Sequence, residues 1–211
     1  MAMSGAVLDK KNARAAQKEA RPKEIVDAAL AVFARDGFAG ARLDDVAEKV
    51  GISKGTIYLY FDTKEELFKA CVRETVGAHI AGSRDFAASY EGATSGLLRE
   101  LVGRIGDRMS KGDFRTILLL LISESSRFPE LVSFYHTEII SSGLEVLSAV
   151  IQRGVDSGEF RKTGLETYPM LLISPLIMSV IWNHLFSSMR QLDVDVVLKA
   201  HLDTILDGLR A

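Results

Sequence analysis

The chain has 211 residues, 47% of them apolar and 26% charged, with a formal net charge of −2. At about 150 residues per domain that allows one large or two small domains with a real core, and it excludes disorder, collagen-like repeats or one long coiled coil as a description of the whole. A single cysteine, Cys71, excludes an intrachain disulfide and a cysteine-rich zinc site and suits a reducing compartment. Residues Met1 to Leu8 run straight into Asp9-Lys10-Lys11, without the basic start and long apolar run of a signal peptide, so a cytoplasmic protein is expected.

Charge is unevenly spread. Between Lys10 and Lys23 six basic residues (Lys10, Lys11, Arg14, Lys18, Arg21, Lys23) stand against one acid, Glu19. From Cys71 onward 14 basic residues stand against 17 acidic ones. A chain basic in front and mildly acidic behind suits a polyanion partner at the front only. Residues 1–20 are read as a flexible basic arm, a composition that a solvated tail shares.

Few alternating β-branched runs and many three- and four-residue apolar spacings predict an all-α protein. Pro22 is placed to open a helix whose face is Ile25, Val26, Ala29, Leu30 and Phe33, and Gly37 to stop it. A short helix over about 43–50, with Asp44 and Asp45 near its positive end, is closed by Gly51. Ser53 caps a third over about 54–60, and Thr63 a fourth, with Glu66 in the capping-box position. Longer helices are expected at about 64–82, 93–109, 113–126, 130–156, 165–189 and 194–209. The run from Thr167 to Met189 carries no formal charge, yet Ser174, Pro175, Asn183 and His184 interrupt it. A helix buried on all sides, in a core or a subunit interface, describes it better than a membrane span.

The informative stretch runs from Leu43 to Phe61. Val46, Ala47 and Val50 face inward, Gly51 supplies the turn, and Ile52 and Ile57 close the packing, which is the pattern of a helix-turn-helix. Lys54, Gly55, Thr56, Tyr58 and Tyr60 remain for the outer face of the second helix. Their side chains donate hydrogen bonds or stack, and Gly55 lets backbone approach a groove wall.

With Phe33-Ala34-Arg35-Asp36-Gly37-Phe38, Gly51-Ile52-Ser53-Lys54-Gly55-Thr56-Ile57-Tyr58-Leu59-Tyr60-Phe61 and Lys64-Glu65-Glu66-Leu67, residues 22–70 resemble the TetR family of transcriptional regulators. The resemblance implies a three-helix DNA-binding domain over 21–68 and a helical effector-binding and dimerisation domain over 69–211. It makes Lys54, Gly55, Thr56 and Tyr58 base-edge and groove contacts, and Ser53, Tyr60 and Lys64 phosphate contacts. Two positions depart from the family. Arg42 stands where Thr or Ser usually caps the second helix; it cannot cap through an oxygen but can reach a phosphate. Asp44 stands where some members carry a basic base-reading residue, so it is not assigned to the site.

The resemblance also implies a ligand cavity and a dimer built by the last two helices. A stripe of Val194, Val197, Leu198, Leu202, Ile205, Leu206 and Leu209, with Ile181 and Leu185 before it, would form a four-helix seam across a two-fold axis. Packing within one subunit is the alternative. Candidate cavity residues are Phe86, Tyr90, Phe114, Phe134, His136 and Trp182, with Phe128, Tyr135 and His184 as further aromatic or mixed residues of the region. The low charge suggests an apolar or amphipathic effector.

No GxGxxG, Walker loop or HExxH occurs, and His79, His136, His184 and His201 are scattered, so neither an enzyme nor a metal or cofactor site is expected. The resulting expectation is a homodimeric repressor that binds two-fold related double-stranded DNA and is released by a small molecule. A protein-interaction module and a constitutive DNA-binding dimer are the alternatives.

Overall fold

The computed structural model describes the backbone of residues 3–109 and 112–211, and side chains from Arg21 onward within them. The chain divides into two compact units, residues 1–74 and 75–211. Among the described residues both are helical, apart from an isolated antiparallel bridge between Phe160 and Arg210.

In the first unit α1 spans Met3–Gly40 and is broken at Gly37, whose φ of 72° suits a residue without a Cβ. It passes through Pro22, which the sequence had placed at its first turn. The side chains of the expected arm, residues 1–20, lie outside the described residues. Helices α2 (Leu43–Val50), α3 (Lys54–Ile57) and α4 (Lys64–Val72) follow. Ile25, Ala29 and Phe33 of α1 are fully buried with Ile57 and Leu67. Phe33, Phe38 and Phe68 form a triad with ring centroids 5.4 to 5.6 Å apart. Such tilted and edge-on pairs add about 1 kcal/mol each to the burial of the rings.

After α4 comes a π-helical turn, Arg73–Gly77, and then α5 (Ala78–Ser89), so the helical path continues past the expected end near residue 82. The second unit continues with α6 (Thr94–Met109), α7 (Asp113–Glu124), α8 (Pro129–Tyr135), a π-helical turn His136–Ile140, α9 (Ser141–Asp156), a 3-10 turn Pro169–Leu172, α10 (Ser174–Phe186) and α11 (Val194–Leu209). Its core lies around α6, whose Leu97, Leu98, Leu101 and Val102 are buried with Leu147, Val150 and Ile151 of α9 and Leu176 and Val180 of α10. Gly106 brings α6 close to α11: a Cβ there would lie 2.7 Å from the Leu198 side chain. The start of α6 is capped from a distance, its Thr94 and Ser95 amides donating to the Glu159 carboxylate at 2.6 and 2.8 Å.

Two expectations are corrected. The segment 165–189 is not one helix: a 3-10 turn begins at Pro169 and α10 at Ser174, with each proline in a first turn, where its missing N–H is tolerated. The stripe on α11 is not a free seam. Leu198, Leu202, Leu206 and Leu209 are all at most 4% exposed and belong to the unit's own core, against which Val194 and Ile205 also pack. Exposed apolar side chains also occur on α10, where Met178 and Leu185 are more than half exposed.

Candidate nucleic-acid interface and effector cavity

Helices α2 and α3 are joined by a tight turn. Gly51 is left-handed (φ 73°, ψ 38°), and the Ile52 amide donates to the Ala47 carbonyl at 2.9 Å, closing the end of α2. Ser53 then caps α3. Its Oγ accepts from the Thr56 amide at 3.2 Å and lies 2.9 Å from the Thr56 hydroxyl. Beyond Ile57 the chain winds into a turn, with Leu59 and Tyr60 donating to carbonyls three residues back, so α3 is shorter than the expected 54–60. Ser53, Lys54, Gly55 and Tyr58 are brought together on an exposed surface, while Thr56 and Tyr60 are half-buried. A Cβ on Gly55 would meet nothing nearer than the Ser53 hydroxyl at 3.7 Å, so packing within the protein does not demand glycine there.

Arg42 flanks α2 without a side-chain capping bond, as its lack of an acceptor requires. It approaches Asp44 at 3.8 Å, and the same Asp44 oxygen accepts from Lys54 Nζ at 2.9 Å. The hydrogen bond to Lys54, then the charges of Lys54 and Arg42, hold the Asp44 carboxyl below its ordinary pKa. The same bond raises Lys54. Sequence reading left Asp44 aside; an acid ten residues from Lys54 carries no local signal of their contact.

Lys64, expected at a phosphate, stands among backbone carbonyls. Its ammonium donates to the carbonyls of Phe38, Ala39 and Ala41 at 2.7, 3.2 and 3.1 Å and sits 4.7 Å from the Phe38 ring centroid. It ties α4 to the end of α1.

The second unit holds a cavity of about 120 Å³. Its wall includes Ile80, Leu101, Phe114, Leu118, Ile139, Ile140 and Leu144, and its polar side chains are His79, Ser83, Arg108 and Tyr135. His79, Arg108 and Phe114 also line an adjoining cleft with Thr75, Arg104, Asp107 and Asp113. Burial, and then the Arg108 charge, hold the His79 imidazole below its ordinary pKa. Burial raises the Tyr135 phenol.

Of the cavity residues expected from sequence, Phe114 and Tyr135 line it. Phe86 and Tyr90 pair with each other at 5.6 Å and pack against the core, with Arg104 stacked 3.7 Å over Phe86. His136 and His184 are exposed, and neither they nor Phe128, Phe134 or Trp182 is in the wall. Trp182 stands 4.9 Å from Phe186 and donates to the Arg190 carbonyl at 2.8 Å. The aliphatic residues that dominate the wall were missed. The spacing of Ile139, Ile140, Gly143, Leu144 and Leu147 could have found them, but aliphatic helical spacing reads equally as core. No group of metal-ligating side chains occurs among the described residues, and no described helix is long and apolar enough to cross a membrane.

A capped two-helix turn with an exposed second helix, joined to a separate helical unit with an apolar cavity, defines a helix-turn-helix DNA-binding transcriptional regulator. Residues 25–71 match the family model of bacterial regulatory proteins of the tetR family, and residues 91–200 match the tetracyclin repressor-like C-terminal domain. The fatty acid metabolism regulator protein of Bacillus subtilis is 30% identical over 151 residues, covering 71% of this chain and 76% of its own. The HTH-type transcriptional regulator YfiR of the same organism is 26% identical over 204 residues, 90% of this chain and 94% of its own. Among solved structures, FadR from Bacillus subtilis in complex with stearoyl-CoA superposes with a TM-score of 0.73 at 19% identity, covering 89% of this chain and 99% of that one. The chain belongs to the TetR family.

Proposed function

We propose that the protein is a homodimeric repressor that holds a two-fold related operator through Arg42 and the segment Ser53 to Tyr60, and releases it when an amphipathic small molecule with a hydrocarbon portion enters the second unit. The observation that carries this reading is the cavity, whose wall is apolar except for His79, Ser83, Arg108 and Tyr135. That is the lining expected of a site for an apolar molecule oriented by a few polar groups. The stearoyl-CoA held by FadR is a molecule of this kind, which supports acyl compounds as the first effectors to try. Dimerisation is placed on the exposed face of α10, where Met178, Ile181, Leu185 and Phe186 follow helical spacing. Pairing two subunits there would present two recognition helices to one duplex, since one helix reads too few bases alone. Its place of action is the cytoplasm, where its DNA is, and its role is binding rather than catalysis.

The effector step is tested with palmitate and palmitoyl-CoA, first for a rise in melting temperature and then, at saturation, for their effect on DNA affinity. By linkage the affinity should fall by the factor with which DNA weakens effector binding, typically about 5- to 150-fold. If compounds that stabilise the protein leave DNA affinity unchanged, the protein is a constitutive DNA-binding dimer.

A further inference from the structure

Asp44 occupies an unusual place for an acid. It lies on the outer side of α2, exposed, beside two of the cations that would meet DNA, and a single carboxylate oxygen is 2.9 Å from Lys54 Nζ and 3.8 Å from Arg42. Lys54 is the first residue of α3, so the bond links the two helices of the helix-turn-helix at their DNA-facing side. A lysine ammonium on a flexible stem is otherwise free to settle on whatever phosphate is nearest, on any sequence. Held by Asp44, it has one favoured direction and one partner it must leave before it binds a phosphate.

We propose that Asp44 is a specificity-determining residue that acts through Lys54: its carboxylate withholds the ammonium from the phosphate backbone and directs it to base edges. Asp44 thereby lowers affinity for duplex DNA in general without lowering it for the cognate site to the same degree. This rests on the reading that Lys54 meets DNA. Asp45, the adjacent acid, supplies an internal comparison: it lies 3.6 Å from Arg35 and carries the same charge at the same end of α2.

The test uses the full-length protein, a duplex selected with it from a random pool, and a random-sequence duplex of equal length. Asp44→Asn should bind the random duplex about fivefold more tightly near 0.15 M salt, and its log–log salt slope should steepen by about 0.9, the signature of one additional phosphate contact. Binding to the selected duplex should gain less, so discrimination falls. Asp45→Asn should not reproduce the effect, and in a Lys54→Met background Asp44→Asn should change neither affinity nor slope beyond what Asp45→Asn does. Equal gains on both duplexes, an equal effect of Asp45→Asn, or persistence of the gain without Lys54 would each overturn the proposal. If Lys54→Met alone binds both duplexes as the parent does, the Lys54 contact itself is wrong. Unchanged circular dichroism melting of each variant ensures that binding and not folding is compared.

Discussion

Glu159 lies 65 residues from the amide it caps, and no local pattern announces it. Burial opposes its ionisation, but hydrogen bonds from Ser95 and Thr94 outweigh burial and hold its pKa below the ordinary carboxylate value. A lowered folded pKa gives stability that is complete above the unfolded-state pKa and is lost as the pH falls through the folded one. Glu159→Gln should therefore cost roughly 1 kcal/mol at neutral pH, a figure already discounted for its partial exposure. The gap between parent and variant in thermal melts should close as the pH drops below the usual carboxylate range. A gap unchanged down to pH 2 would refute the capping role. Other single residues were legible because their chemistry is local: the Ser53 and Thr63 caps lie three residues from the amides they accept. The Lys64 contacts were not legible for the opposite reason, since its three carbonyl partners are 23 to 26 residues away.

Elements were readable where one face is buried and the ends carry chemical signals. Helices α2, α6 and α11 meet both conditions and fall within a residue of expectation. The segment around Pro169 and Pro175 carries end signals in its prolines but is uncharged from Thr167 to Met189, and hydrophobicity without a clear polar face gives little phase from which to judge where a helix begins. Close approach is also invisible at this level. Gly154 lies in the last turns of α9 with the Phe160 ring packed on it, so that a methyl group there would lie within 3 Å of three ring carbons. The chain around Phe160 is pinned in turn, with Arg161 donating from its backbone to Leu209 at 2.8 Å and from its side chain to Gly208 at 2.6 Å. Gly154→Ala gains helix propensity of about 1 kcal/mol but overpacks by about 1–3 kcal/mol. We expect a melting temperature lower by a few degrees. A higher one would mean that Phe160 can move aside.

At the scale of the whole molecule, the division into two helical units was legible, and which apolar helix stays exposed was not. The stripe on α11 has the spacing of an interface, but α6 packs on it within the same chain, and a sequence does not say which of two apolar partners a helix will take. This gives a paired prediction. Leu185→Asp, on an exposed face, should leave a folded protein that sediments as a monomer and has lost most DNA affinity. Leu202→Asp, 4% exposed, should unfold the second unit, because an unpaired charge in a packed core costs several kcal/mol. A Leu185→Asp variant that remains dimeric would move the interface away from α10.

The two π-helical turns, Arg73–Gly77 and His136–Ile140, both contribute to the cavity wall, through Val76 from one and Ile139 and Ile140 from the other. A π turn accommodates one residue more than an α turn while leaving the helix on either side in phase. The chamber is thus bordered by two surplus residues that the adjoining helices do not need for their own register. Lineages of this chain could drop or regain either one, reshaping the chamber in single steps while the helices that support it keep their alignment.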